Sequence, residues 1–177
     1  GVIQTRFLRE AESMVAVEDP HVVDVLDMGR TAEHGLFLVF EYLDGVGLNA
    51  LIQRESALPV ERAAHIGTQL AAVMGKAHEQ GIVHRDLKPA NVLLIPRDGD
   101  PDYVKVIDFG IARVNAPVSF AEPEDESNDA LTMTRQIMGT PMYMSPEQFR
   151  SSRHVDARAD VYAMRVILYK MLTGAAP

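Results

Sequence analysis

Two short polar strings, taken in order, constrain the fold of this chain more than any other feature of its sequence. Residues 84–91 read His-Arg-Asp-Leu-Lys-Pro-Ala-Asn, and residues 108–110 read Asp-Phe-Gly. Between them, apolar runs at 92–95 and 103–107 flank the turn-forming sequence Pro-Arg-Asp-Gly-Asp-Pro. Apolar runs around an Asp-Gly turn predict a β-hairpin. The sequence therefore places one polar string before the hairpin and the other after it.

In this order, the two strings resemble the signature of the protein kinases. Either tripeptide alone is a weak signal, because Asp-Phe-Gly is a common turn and His-Arg-Asp can be a surface charge cluster. The resemblance implies that Asp108 and Asn91 bind Mg²⁺, a hard cation that prefers oxygen ligands. It also implies that Asp86 accepts the proton of the substrate hydroxyl, or orients that hydroxyl, and that Lys88 lies beside the transferred phosphoryl group.

Residues 36–45, Leu-Phe-Leu-Val-Phe-Glu-Tyr-Leu-Asp-Gly, resemble the strand and hinge against which the adenine of ATP lies in this family. By this resemblance Phe40 is at the back of the nucleotide pocket and Leu93 forms its floor. The carbonyl of Glu41 and the N–H of Leu43 would bond the adenine edge. The alternative for these apolar residues is ordinary core packing.

Residues 139–147, Gly-Thr-Pro-Met-Tyr-Met-Ser-Pro-Glu, resemble the end of a kinase activation segment, which then covers residues 108–147. Ser145 stands where the family usually has Ala. The lysine of the first string, together with Thr140 before a proline, resembles the serine/threonine-directed branch. The residues in and around these motifs are most similar to those of the bacterial, eukaryotic-like members of that branch.

The resemblance implies a regulatory role for four residues, Arg85, Thr132, Thr134 and Thr140. Arg85 precedes the catalytic aspartate and needs an anion when the segment is ordered, which a phosphate can provide. Thr132 and Thr134 lie where bacterial relatives carry phosphorylated threonines.

Glu10 resembles the acidic residue that pairs with a phosphate-holding lysine, although a Glu on an amphipathic helix is more often a solvated surface residue.

The resemblance implies an α+β, protein-kinase-like two-lobe fold, of which this chain holds a part. Residues 1–43 would form the remainder of the small β-rich lobe and the hinge, and residues 44–177 the first part of the helical large lobe. The glycine loop and the strand lysine are expected before residue 1, and further helices after residue 177. We expect this partial domain, taken alone, to be inactive.

Apolar spacing predicts the remaining elements. Strands are expected at 22–28 and 36–41 with a break at 44–47, and helices at 5–18, 48–54 and 156–173. A longer helix is expected from Pro59, at its first position, to a C-terminal cap at Gly81. Arg165 stands where the family usually has Gly in the last helix, and burying an unpaired guanidinium there would cost several kcal/mol.

Composition limits the partners. Acidic side chains outnumber basic ones by 25 to 17, so the net charge of −8 disfavours nucleic acid. With no cysteine there are no disulfides and no thiolate metal sites. No apolar stretch is long enough to predict membrane contact within this segment, and the chain is expected to be cytoplasmic, within a protein that can be membrane-anchored.

The leading hypothesis is a serine/threonine protein kinase with ATP and Mg²⁺ as cofactors, protein substrates, and a kinase dimer as a possible route to trans-autophosphorylation. A pseudokinase that acts as a binding or scaffolding module is the alternative. A small-molecule phosphotransferase of related fold is disfavoured, because such relatives generally lack a long activation segment with this ending.

Overall fold

The computed structural model describes residues 17–31, 35–109, 141–150 and 155–177. These ranges form five strands and four α-helices, and 3₁₀ turns lie at Pro89–Asn91 and Pro141–Tyr143. The predicted helix at 5–18 lies outside the described residues except at its last two positions, which are not helical. The mixed α+β class is confirmed. In chain order the elements are β1 (Val25–Thr31), β2 (Gly35–Phe40), β3 (Val46–Gly47), α1 (Leu48–Glu55), α2 (Val60–Glu79), β4 (Val92–Arg97), β5 (Asp100–Val106), α3 (Pro146–Arg150) and α4 (Ala157–Thr173).

The strands form two antiparallel sheets, β1-β2 and β3-β4-β5. The predicted strand at 22–28 begins later than expected, at Val25. Residues before it join the other sheet instead, because Val22 forms a parallel bridge with Val106 and the Val23 N–H donates to the Val106 carbonyl at 3.0 Å. The expected break at 44–47 was also wrong in part, since it contains β3.

The predicted hairpin is confirmed and extends further towards its turn than the apolar runs indicate. Asp98 and Gly99 have φ of 52° and 86°, the two positive values that a type I′ turn requires. The register pairs Val92 with Val106 at the open end of the hairpin. The two polar strings therefore leave the hairpin side by side.

Helix α2 forms as its periodicity predicts, with the buried positions on one face. Pro59 is its N-cap rather than its first helical residue. At the other end Gly81 has a φ of +75°, its N–H donates to the His78 carbonyl, and the Ile82 N–H donates to the Ala77 carbonyl. This pair of bonds is a Schellman motif, so the predicted glycine cap is confirmed. The buried positions are Ala63, Ile66, Leu70, Val73, Met74 and Ala77.

Helix α4 packs against α2 through one face only. Asp156 caps its first turn by accepting from the Arg158 N–H. The face towards the core carries Ala163, Val166, Ile167 and Met171, while the opposite face leaves Val161, Leu168, Tyr169 and Leu172 partly exposed. Arg165 is exposed in this chain, so the cost expected for a buried guanidinium does not arise here.

The end of α4 generates a stability prediction. Gly174 has a φ of +77°, and a Cβ at this position would lie 2.5 Å from the Ser56 carbonyl oxygen. In the full-length protein, we expect Gly174→Ala to lower the free energy of unfolding by about 2–3 kcal/mol, from strain and overlap together. Gly75→Ala is the matched control, because its Cβ would meet nothing in the middle of α2. It should stabilise by about 0.5–1 kcal/mol. Denaturant unfolding measures both changes, and equal effects would contradict the prediction.

Candidate active site

The loop of residues 84–91, named the catalytic loop after the resemblance, is held through its backbone by a buried carboxylate. Asp160, in the first turn of α4, accepts from the His84 N–H and the Arg85 N–H at 2.8 Å each. Arg85 has a φ of +65°, a conformation that non-glycine residues adopt only when their surroundings impose it. The His84 ring is fully buried and lies against the Phe109 ring, with 4.8 Å between centroids.

Asp86, Lys88 and Asn91 are brought together within this loop. The Lys88 ammonium donates to Asp86 Oδ2 at 2.6 Å, and Asn91 Nδ2 donates to the Asp86 carbonyl at 3.0 Å. The carboxylate is half-buried and therefore accessible to a substrate. The loop thus presents the Asp86 carboxylate with the Lys88 ammonium beside it. The Asn91 side chain fixes the backbone carbonyl of Asp86.

The hairpin brings Asp108 to the same region. Because Val92 pairs with Val106, the next residues continue the ladder, and the Ile107 N–H donates to the Asn91 carbonyl at 3.0 Å. The chain then turns at Asp108, which has a φ of +56°, so that Asp108 is exposed while Phe109 is buried.

The side-chain chemistry of Asn91 and Asp108 suits an Mg²⁺ ion. Since Asn91 Nδ2 is committed to the loop carbonyl, the amide presents its Oδ1, and Asp108 presents an exposed carboxylate. Oxygen ligands of this kind suit Mg²⁺, which usually retains waters and phosphate oxygens as its other ligands. In the described ranges no three His, Cys, Asp or Glu side chains form a metal-binding group.

Burial lowers the pKa of the His84 imidazole below its ordinary value. The carboxylates of Asp160, Asp86 and Asp108 act in the opposite direction but do not offset the desolvation of a charged ring. The Asp86 N–H donates to Nδ1 at 3.3 Å, which requires that nitrogen to be unprotonated. His84 is therefore a neutral side chain beneath the catalytic loop.

The four predicted nucleotide-binding residues in the described ranges lie on the hinge and on β4. Phe40 ends β2, Glu41 and Leu43 follow it, and Leu93 is half-buried in β4. The hinge backbone is anchored because the Glu41 N–H donates to the Asp24 carbonyl at 3.0 Å.

A buried lysine on β5, which the sequence analysis missed, also holds the hinge. Lys105 is 3% exposed, donates to the Val22 carbonyl at 3.0 Å and pairs with the Glu41 carboxylate. Burial alone would raise the pKa of Glu41, but the hydrogen bonds from Lys105 and the Asp24 N–H hold it below its usual value. A lysine between apolar strand residues gives no sequence signal for such a partner.

Glu10, Thr132, Thr134 and Thr140 lie outside the described residues, so their predicted roles stay predictions. Arg85 is described and half-buried. Its Nη2 lies 3.5 Å from the Val155 carbonyl, at the long limit for a hydrogen bond. Among the described helices, none combines the length and the hydropathy needed to cross a bilayer.

Comparisons with known proteins agree with this geometry. A family model described as a protein kinase domain matches residues 2–177. Serine/threonine-protein kinase pkn3 of Myxococcus xanthus is 41% identical over 174 residues, and serine/threonine-protein kinase PknB of Mycobacterium tuberculosis is 37% identical over 175. Both alignments cover 97% of this chain, which spans only 30% and 26% of the lengths of these two relatives.

A solved structure shares the fold. The crystal structure of Rad53 1–466 in complex with AMP-PNP matches with a TM-score of 0.73 and 26% identity. The match covers 97% of this chain and 38% of that chain.

The buried imidazole generates a prediction on pH. Because the pKa of His84 is lowered by folding, the unfolded chain binds a proton that the folded chain does not, so stability is lost as pH falls below about 6.5. This loss should reach at most about 1.4 kcal/mol per pH unit. Replacing His84→Phe keeps a ring against Phe109 and removes the titration, so its free energy of unfolding should vary less with pH. Denaturant unfolding of the full-length protein from pH 5.5 to 7.5 compares the two slopes, and parallel slopes would contradict the prediction.

Proposed function

The chain belongs to the protein kinase domain family, and from that premise we propose that it is part of a serine/threonine protein kinase that transfers the γ-phosphoryl group of ATP to protein hydroxyls. The observation that carries this proposal is the arrangement around Asp86. Lys88 donates to its carboxylate and Asn91 donates to its backbone carbonyl. The bond from the Ile107 N–H to the Asn91 carbonyl brings Asp108, the next residue, beside this loop. The names of the bacterial relatives support the choice of serine and threonine.

In this proposal the oxygen of the substrate hydroxyl bonds to the γ-phosphorus, and Asp86 accepts the proton of that hydroxyl. The bond between the γ-phosphorus and the oxygen that joins it to the β-phosphate breaks, so ADP leaves. Lys88 is already within 2.6 Å of the carboxylate, so its ammonium is placed to balance charge on the transferred oxygens. The bond from Asn91 to the Asp86 carbonyl keeps the carboxylate from turning away.

Asn91 Oδ1 and the Asp108 carboxylate would hold Mg²⁺, which supplies neutralisation of phosphate charge when bound. The left-handed backbone at Asp108 supports this role, because it points the carboxylate to solvent while Phe109 stays in the core.

The nucleotide is proposed to lie between the hinge and β4. Phe40 and Leu93 would contact the adenine, and the Glu41 carbonyl and the Leu43 N–H would bond its edge. The ATP analogue bound to the Rad53 structure supports a nucleotide site in this fold. Glu10 would pair with a lysine that contacts the phosphates.

As a domain, residues 1–43 are proposed to complete the small lobe and hinge, and residues 44–177 to begin the large lobe, with the activation segment at 108–147. Protein substrates, and a second kinase copy for trans-autophosphorylation, are proposed partners. The pseudokinase alternative was motivated by Arg165 and by the strand lysine expected before residue 1, and the names of the relatives, which are serine/threonine-protein kinases, do not support it.

The two aspartates give the test of this function. In the full-length protein, Asp86→Asn should lower kcat by about 10²- to 10⁴-fold and leave the affinity for ATP nearly unchanged, because the amide cannot accept the proton. The variant Asp108→Asn should in addition weaken Mg²⁺-dependent ATP binding. The matched control is Asp156→Asn, an exposed capping position where Asn caps equally well. Phosphate transfer to a protein substrate and nucleotide titration measure the effects. Near-wild-type turnover of Asp86→Asn would overturn the assignment.

Regulation gives a further prediction. Phosphate on Thr132 or Thr134 would add about −1.5 to −2 charges, and Arg85 would pair with it and fix Thr140 near Asp86 and Lys88. Autophosphorylation should raise activity, and the double substitution Thr132→Ala with Thr134→Ala should lower it. In the Arg85→Ala background the double substitution should be nearly silent, since both remove one contact. Mass spectrometry paired with rate measurement checks this, and fully active enzyme without phosphate at either threonine would refute it.

A further inference from the structure

Gln148, in α3 directly after the proposed activation segment, contacts the backbone of the catalytic loop. Its Nε2 donates to the Arg85 carbonyl at 2.7 Å. Its Oε1 accepts from the Ser145 N–H at 2.9 Å and lies 3.3 Å from the Ser145 hydroxyl. We infer that Gln148 is a positioning residue that fixes the peptide before Asp86, an inference that rests on the proposed function.

The chemistry of the two partners requires an amide at this position. The Ser145 N–H can only donate and the Arg85 carbonyl can only accept, so the bridging side chain must accept at one atom and donate at the other. This requirement also fixes the orientation of the Gln148 amide. A carboxylate would satisfy Ser145 and repel the Arg85 carbonyl, while an ammonium would do the reverse.

The peptide that Gln148 holds is one that needs support. Arg85 has a φ of +65°, and its N–H is already bound by Asp160 at 2.8 Å. The following carbonyl, that of Asp86, accepts from Asn91. Gln148 supplies the remaining bond, to the carbonyl between these two. The backbone on either side of Asp86 is thus held by Asp160 from α4, by Gln148 from α3, and by His84 and Asn91 from the catalytic loop.

Two variants of the full-length protein separate this bond from the rest of the side chain. Gln148→Glu retains an acceptor for the Ser145 N–H. It removes only the N–H that donates to the Arg85 carbonyl and places there a carboxylate oxygen, which that carbonyl repels. Gln148→Met keeps the length of the side chain and removes both bonds without adding charge. We expect kcat to fall about 10- to 100-fold in Gln148→Glu and less in Gln148→Met, with the Kd of ATP unchanged in both.

Gln69 on α2 provides a control, because it makes a similar two-sided bridge elsewhere, with one additional contact from its Nε2 to His65 Nε2 at 3.0 Å. Its Oε1 accepts from the Val104 N–H at 3.0 Å, and its Nε2 donates to the Asp102 carbonyl at 3.1 Å. The substitution Gln69→Glu introduces the same repulsion away from the catalytic loop. It should leave kcat within about twofold of wild type even if it costs as much stability.

Hydrogen exchange gives a readout that does not depend on activity. Gln148→Glu should speed exchange of the amides at 84–87, and Gln69→Glu should instead speed exchange at 102–104. A kcat within twofold of wild type for Gln148→Glu, or unchanged exchange at 84–87, would overturn the inference. If Gln148→Glu fails to fold, Gln148→Met decides by the same two criteria. If wild type transfers no phosphate but the exchange pattern holds, the proposed function fails and the positioning contact stands.

Discussion

The buried carboxylate of Asp160 is the contact on which the rest of the site depends. It is 1% exposed, and an unpaired carboxylate at that depth would cost several kcal/mol. Three donors meet it: the His84 N–H, the Arg85 N–H and, at 2.7 Å, His78 Nε2. Because the carboxylate can only accept, the proton of His78 lies on Nε2. One group from α2, one from α4 and two from the loop are satisfied together only in this arrangement, so the packing of the helices also fixes the loop.

Strand β5 transmits order to both sides of the proposed nucleotide site. Its Lys105 reaches back to Glu41 and ties the hinge to the larger sheet. Its pairing with β4 continues to the bond between Ile107 and Asn91, after which the chain reaches Asp108. The same strand therefore locates the hinge and both proposed Mg²⁺ ligands, although Glu41, Asn91 and Asp108 are far apart in sequence.

The parts of the fold that could be predicted are those with a local cause. Helix α2 follows from apolar spacing and a glycine that can adopt a positive φ at Gly81, and the hairpin follows from Asp98 and Gly99. The start of β1 was wrong because apolar alternation does not say which sheet a residue joins, and Val22 pairs with Val106 far along the chain. Strand β3 has only two residues, too few for any pattern.

The residues of the site likewise fall into those that the sequence predicts and those that it does not. Asp86 and Asp108, which are proposed to carry the chemistry, stand in strings specific enough to locate, whereas the groups that position them are ordinary residues with distant partners. Residue 148 shows why: Ser145 with Gln148 three residues later matches the sequence pattern of a capping box, in which Glu and Gln serve equally well. The local helix therefore does not select Gln148 over Glu. The Arg85 carbonyl accepts from the amide and would repel a carboxylate, so a residue that local sequence leaves undetermined is selected by the backbone next to Asp86.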